Sequence, residues 1–568
     1  MFLKQARFKN GKTFLSIVEG YHDPVSKKPK QKTIQKIGYL EDFIDIYPDP
    51  VAHFKQVARE MTAEKQQRQA PILLEIDPQE ELTMSLESKK NLGYSVLSKM
   101  YHTLNLDTFI NNKARHKKFD YNANTLFKNA IYSRILNPGS KKQDFENRHR
   151  FLENTDYSLS DVYRNLDFIS TLETDCQTFL NKQITKSFGR DTTHVYYDVT
   201  NYYFEIDEAT ELLKKGVSKE KRTSPIVQMG LLMDGDGIPI SYRLYPGNTN
   251  DCMTYRPFIK QAKIDLELER IIVVGDKAMN TGDNIWYTLS AKNGYVFSQS
   301  VRGASKALKS YVLDSSGYRN VGNSFKIKSR LEPREITITT TSGKKKKRII
   351  DEKQVVFYSE KYAKKARYER EKLLEKAEKI IANPSAYSKS SSYGASAYVK
   401  NIEFDKKTGE IIETKKHLLL DEQKIKEDAA LDGYYMLMTS EYQETDEKIV
   451  EIYRGLWRIE ESFKVTKTDL EARPVFVRKE DRIKAHFLIC FVSLVLLRLI
   501  QKELNNHYSV KKIVDTLNQC EGISIEKNLY VFSYFSEELA VIAKKFNLPL
   551  NRKYLTRKEM KKILAETK

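Results

Sequence analysis

Three acidic residues carry most of the chemical information in this sequence: Asp198 in VYYDVTNYYFE, Asp276 in IIVVGDKAMN and Glu460 in YRGLWRIEESFKVTK. A carboxylate set among apolar strand formers is costly unless it is hydrogen-bonded, paired or bound to a metal. The ordinary alternatives are a turn residue after Gly275 for Asp276 and an i to i+4 charge pair with Lys464 for Glu460. Three separated carboxylates that converge beside a sheet suit two divalent cations, which activate the attacking oxygen and stabilise the leaving one in phosphodiester displacement. Mg2+, or Mn2+ in its place, takes oxygen ligands and leaves room for water and phosphate. Zinc hydrolysis is disfavoured, because Cys176, Cys252, Cys490 and Cys520 are scattered without zinc-like spacing and no His/Cys ligand cluster accompanies them. Nucleotide cofactors are disfavoured too: there is no P-loop and no GxGxxG after the first strand.

Tyr453, Glu460 and Lys467 stand seven residues apart. Seven residues fall only ~20° short of two helical turns, so on a continuous helix the three share one face. Leu456 and Phe463 lie near the same stripe and would hold it against a sheet, with Glu460 at the edge of the core. Glu461 points roughly 100° away and is assigned to the solvated face.

The elements that must position these residues are legible between about 190 and 300. His194 to Phe204 is a run of aromatic and β-branched residues, a strand pattern. Ile226 to Met233 and Ile238 to Tyr245 are two more strands joined by Asp234-Gly235-Asp236-Gly237, a hairpin signal. A helix from about Thr254 to Glu269, with Asp251 among its possible caps, precedes a fourth strand, Ile271 to Val274. A second helix from about Asp283 to Lys292 and a fifth strand, Tyr295 to Ser300, follow. This order matches a ribonuclease H-like α/β core better than a doubly wound dinucleotide fold.

Residues 301–430 read as a charged, polar insertion before the glutamate helix, with a partly β structure of its own suggested by Glu335 to Thr341 and Gln354 to Tyr358. A highly charged helix from about Glu360 stops at Asn383-Pro384. The core resumes at 431–500 with the strand Gly433 to Thr439 and a helix from about Asp446. The remaining parts are a small basic β-rich unit at 1–61, a polar linker at 62–90, a helical region at 91–190 and a basic, mostly helical region at 501–568. The apolar run Phe487 to Ile500 is too short to span a bilayer and reads as a buried helix.

Lys and Arg total 96 against 76 for Asp and Glu, a formal net charge of +20. Such a field attracts polyanions, and nucleic acid is the leading partner; a Lys-rich genome composition is the bland alternative. No signal-peptide h-region opens the chain, and the cysteine usage fits a reducing cytoplasm. No membrane partner is expected.

With these motifs in this order, the sequence resembles bacterial insertion-sequence transposases of the DDE superfamily, in the group whose third acid sits in a Y-x2-R-x3-E-x6-K signature. The likeness covers roughly 190–300 and 430–500. It implies that Asp198, Asp276 and Glu460 jointly hold two Mg2+ (or Mn2+) ions. It also implies that the enzyme cuts the ends of a mobile element and joins them to target DNA, with double-stranded terminal repeats and target as partners, a homodimer as the synaptic form and the nucleoid as its place. Tyr453 matches the signature tyrosine and Lys467 its lysine, residues that contact the DNA end in the family. The signature arginine falls at Leu456, so that contact does not carry over. Arg454 and Arg458 lie about 120° and 160° from Glu460, whereas Lys464 is only about 40° away and is the better substitute. Two rival readings stay open on residues alone: a non-catalytic DNA-binding descendant of such an enzyme, and a plain metal nuclease that cuts without joining.

Overall fold

The computed structural model describes residues 1–8, 11–22, 28–67, 79, 89–205, 209–216, 224–322, 325–383, 394–401, 418–525 and 528–568. The chain forms two compact units, Met1–Met84 and Ser85–Lys568. In the first, β1 (Phe2–Arg7), β2 (Thr13–His22) and β3 (Pro29–Tyr39) make an antiparallel meander. Alternate residues turn inward, so that Leu15 and Ile17 are fully buried while Lys30, Lys32 and Lys36 of β3 stay exposed. Helix α1 (Pro50–Gln67) then runs past residue 62, where a polar linker was expected to begin. Most of that stretch, 68–78 and 80–88, lies outside the described residues.

In the second unit a short strand, Lys89–Asn91, is followed by helices that include α2 (Ala123–Leu136) and α3 (Leu159–Ser170). Its centre is a nine-stranded sheet made of β4 (His194–Tyr203), β5 (Ile226–Met233), β6 (Pro239–Pro246), β7 (Ile272–Gly275), β8 (Gly294–Gln299), β9 (Arg319–Asn320), β10 (Phe325–Thr339), β11 (Lys345–Ser359) and β12 (Tyr434–Thr439). Their order is β9-β10-β11-β12-β8-β7-β4-β5-β6. The hairpin β5–β6 lies antiparallel to β4, whereas β7 and β8 run parallel to it. Parallel neighbours need crossovers, which α4 (Asp251–Asp265) and α5 (Gly282–Ser290) supply. Asn250, not Asp251, caps α4, its side chain accepting from the Cys252 N–H.

Both faces of the sheet are covered. On one, Tyr196, Val274, Val296 and Leu437 pack with α7 (Asp446–Arg454), α8 (Trp457–Lys464) and α9 (Glu480–Glu503). On the other, Val195, Tyr197, Val273 and Phe297 meet Tyr255 and Phe258 of α4 and Ile285 of α5. Helix α9 is longer than the run Phe487 to Ile500 suggested. By length and composition it is apolar enough to cross a membrane, yet 94% of its apolar window is buried inside the unit.

The insertion is not a separate body. β10 and β11 extend the main sheet through the β11–β12 pairing Lys353↔Thr439 to Tyr358↔Tyr434, so Glu335 to Thr339 and Gln354 to Tyr358 lie within it. The physical reason is that both faces of β11 are covered: Val355 and Phe357 enter one core and Val356 the other. A strand buried on both sides belongs inside a sheet. Only the later part keeps a small core of its own, where α6 (Glu360–Ala382) contributes Ala377 to a cluster with Tyr398, Val399 and Leu418. The region 501–568 is less helical than expected: Glu521–Ile525, Leu529–Phe532 and Tyr554–Thr556 form a four-stranded sheet with Lys89–Asn91.

Candidate active site

Asp198 and Asp276 are brought side by side by strand pairing. β4 and β7 are parallel neighbours in the register Tyr196↔Val274, and each aspartate lies two residues beyond that pair. Because side chains alternate, both fall on the face of Tyr196 and Val274, the one that α7 and α8 cover. Each carboxylate turns toward nearby backbone: Asp198 Oδ1 accepts from the Val199 N–H at 2.7 Å and Asp276 Oδ1 from the Ala278 N–H at 2.8 Å.

Glu460 comes from the helices above. The expected single helix is broken: α7 ends at Arg454, α8 starts at Trp457, and a π turn, Val465–Asp469, follows it. The break coincides with a contact from the sheet that takes up the Ile452 carbonyl, so that the Leu456 N–H bonds the Tyr453 carbonyl instead. A Cβ at Gly455 would lie 1.8 Å from the Tyr196 hydroxyl, which reaches up from β4 to donate to the Ile452 carbonyl at 3.1 Å. Only glycine permits that approach. Tyr453 still lies near the acids. Burial pushes its hydroxyl up to about 12; a hydrogen bond with Ser298 opposes the rise, and the charges of Asp276 and Glu460 add to it.

The π turn alters Lys467. Instead of sharing an outward face with Glu460, its ammonium donates to Thr200 Oγ1 at 2.7 Å, on the same face of β4 as Asp198. The hydroxyls of Tyr202 and Thr466 meet beside it at 2.7 Å. Thr200 was missed in the sequence, although the two-residue period of the strand after Asp198 pointed to it. Lys464 is exposed, and Leu456 is buried at 7% exposure as the N-cap of α8. Arg458 is half-buried, its Nη1 3.5 Å from the Tyr196 hydroxyl.

Glu461, expected on the solvated face, is half-buried. It pairs with Arg498 of α9 at 3.1 Å, a partner signalled in the sequence by a lone arginine inside an apolar helix. Among the described residues no three His, Cys, Asp or Glu side chains stand together at metal-holding distance. Asp198 and Asp276 thus lie at the sheet and the exposed Glu460 on the helix that packs on it, without forming a closed ligand cluster. As a donor set, three carboxylates are all oxygen, which is what Mg2+ and Mn2+ take.

Residues 204–496, more than half of the chain, match the transposase DDE domain model. The chain belongs to this family. The matched stretch contains Asp276 and Glu460, and Asp198 lies just before it. Residues 3–72 of the transposase match the N-terminal domain of IS1634 family transposases, and the chain is a bacterial insertion-sequence transposase, a DNA-cleaving and strand-transferring enzyme. No curated protein matches it. Among solved structures it is similar to a piggyBac transposase synaptic complex with hairpin DNA, at 9% identity over 84% of each chain with a TM-score of 0.34. It is also similar to a Mos1 transposase paired-end complex with the left transposon end, at 14% identity over 31% of this chain and 57% of that one, TM-score 0.13.

Proposed function

We propose that the transposase cuts phosphodiester bonds at the ends of an insertion sequence and joins them to target DNA, with Asp198, Asp276 and Glu460 as its catalytic, metal-holding carboxylates. The observation that carries this reading is the parallel pairing that sets Asp198, within β4, beside β7, the strand that Asp276 follows, with the helices that bear Glu460 packed on the same face. Numbering its first five strands in chain order, the sheet runs 3-2-1-4-5 with 1, 4 and 5 parallel, which supports a ribonuclease H-like core continued by the strands of 301–430.

Two Mg2+ or Mn2+ ions, when bound, supply activation of the attacking oxygen and stabilisation of the leaving one. The chain's own residues do the rest. The two aspartates, one within β4 and one just after its neighbour β7 in the interior of the sheet, and the glutamate on α8 orient the scissile phosphate. Tyr453 stays protonated at neutral pH, given a value of about 12, and so offers an O–H donor to a phosphate oxygen. Lys467, anchored on Thr200, holds positive charge beneath the site. Water and then a DNA 3′-hydroxyl serve as nucleophile, and no protein nucleophile is used.

Double-stranded DNA is the partner, as terminal inverted repeats and as target. Exposed lysines such as Lys30, Lys32 and Lys36 of β3 and Lys464 beside the site supply backbone contacts. The synaptic form is a homodimer acting at the nucleoid in the cytoplasm. The test is a cleavage and strand-transfer assay on oligonucleotides carrying the flanking repeats. Asp198→Asn, Asp276→Asn and Glu460→Gln should each lose cutting while still shifting the end DNA in a gel. Undiminished cutting by any of them overturns that assignment, and cutting without joining by the wild type makes the protein a plain nuclease.

A further inference from the structure

Helix α8 cannot fix its own orientation. It has eight residues, its N-cap Leu456 makes no side-chain hydrogen bond to the first turn, and its C-terminus runs into the π turn. Isolated helices below ~12–15 residues are marginal, and uncapped ends weaken them further. The direction in which Glu460 points must therefore be set from outside the helix.

Besides the buried Ile459 and Phe463 and the long Arg458–Tyr196 contact, the closest polar contacts to the residues after Glu460 come from one side chain. Arg498 is 6% exposed, near the C-terminal end of the apolar part of α9. It sends Nε and Nη2 to Ser462 Oγ at 3.1 and 2.8 Å, and Nη1 to Glu461 Oε2 at 3.1 Å and to Gln501 Oε1 at 2.8 Å. Ser462 Oγ donates in turn to the Arg458 carbonyl at 2.9 Å. One planar guanidinium thus grips the two residues that follow Glu460 and, through Ser462, the turn before it. Burying a guanidinium in a helix of Leu, Val, Ile and Phe is costly, and an apolar side chain there is often neutral or stabilising. Stability alone gives no reason for an arginine at this position.

We propose that Arg498 is a positioning residue for the DDE reaction: it locks the rotation of α8 and so the direction in which Glu460 is presented to the metals. The inference rests on the reading of Glu460 as the third acid. The forked donor geometry is what lysine lacks, so Arg498→Lys is a partial loss and Arg498→Met a full one.

The experiment uses the full-length protein with Trp286→Phe as background, because the chain has two tryptophans and the other, Trp457, opens α8 at 55% exposure. Four quantities are measured for Arg498→Met and Arg498→Lys: the Mn2+ concentration giving half-maximal cleavage of end DNA, acrylamide quenching of Trp457 without metal, metal-free DNA affinity and urea stability. The half-saturating Mn2+ should rise about tenfold in Arg498→Met, with altered Trp457 quenching and unchanged DNA affinity, and Arg498→Lys should fall between. A half-saturating Mn2+ equal to that of the background protein, whatever the amplitude, overturns the proposal, since a loss of folded fraction lowers amplitude without moving that concentration. If Arg498→Met is insoluble, Arg498→Lys carries the same test. Glu460→Gln is run in parallel. Normal cleavage by that variant removes the catalytic reading itself, whereas an unmoved Mn2+ midpoint in the Arg498 variants beside an inactive Glu460→Gln removes only the positioning role.

Discussion

The turn between β5 and β6 holds an ion pair whose cost can be measured. Arg190 and Asp234 meet at 2.9 Å with side chains 2% and 1% exposed, and Asp234 Oδ1 also accepts from the N–H groups of Asp236 and Ile238. Burial pushes Asp234 up to about 6, against the opposing pull of Arg190 and of the Ile238 N–H, and burial also pushes Arg190 down. Both partners move toward neutrality, so desolvation outweighs their attraction. An unfolded aspartate titrates near 3.9, so the folded chain holds an extra proton between about pH 4 and pH 6. The stability that proton supplies is whole below pH 4 and lost as pH rises through 6. Two units correspond to about 3 kcal/mol. Asp234→Asn keeps an oxygen acceptor in the turn but cannot titrate. Its fixed offset from an unpaired Arg190 shifts the whole stability curve, and Arg190 titrates far above the window, so the slope isolates Asp234. Urea denaturation between pH 4 and pH 7, with reversibility checked, should show the variant gaining about 3 kcal/mol on the wild type across that range. Parallel curves would refute the argument.

Three further outcomes follow from the same geometry. Val356→Asp, at a fully buried position of β11, should cost about 4 kcal/mol or more, whereas Ile349→Asp on the same strand, 74% exposed, should change little; equal effects in urea melts would contradict the placement of β11 inside the sheet. Lys464→Ala should lower the slope of log affinity against log salt by about 1, while Arg458→Ala, half-buried against Tyr196, should lose stability and keep the slope. Thr200→Val removes one acceptor of Lys467; hydrogen bonds to charged groups contribute about 1.5–3 kcal/mol, so kcat for cleavage should fall roughly 10- to 100-fold at unchanged DNA affinity.

The elements from β4 to β8 were legible because each is a local pattern: period-2 runs, a Gly-rich hairpin turn and capped helices of ordinary length. What failed was non-local. Gln354 to Tyr358 looks the same in a sequence whether it builds its own small sheet or joins an existing one, since the decision lies in whether β12 offers an edge and whether α5 covers Ile336 and Ile338. Helix continuity through Gly455 failed likewise, because the wheel knows nothing of the Tyr196 hydroxyl that occupies the space of the absent Cβ. Glu461 was misassigned for the same reason: its partner is on another helix, and only packing brings Arg498 within 3.1 Å.

That broken helix also explains why Leu456, where the family signature has arginine, is no defect in this chain. On a continuous helix position 456 lies beside the Glu460 stripe, and an arginine there could reach DNA. Here it is the N-cap of α8, 7% exposed and packed in the main core with Ile452 and Ile459. An arginine at that place would have to bring a guanidinium into an apolar core position, at a cost of several kcal/mol. The expectation is then that any grip on the DNA end comes from cations whose positions the break and the π turn leave available. Lys464 is exposed on the last turn of α8, whereas Lys467 is drawn down to Thr200. A single lysine is a point charge without a fork. Restoring the signature with Leu456→Arg should therefore lower stability without tightening end binding, and an increase in affinity for the terminal repeat measured by gel shift would show that position 456 faces the DNA after all.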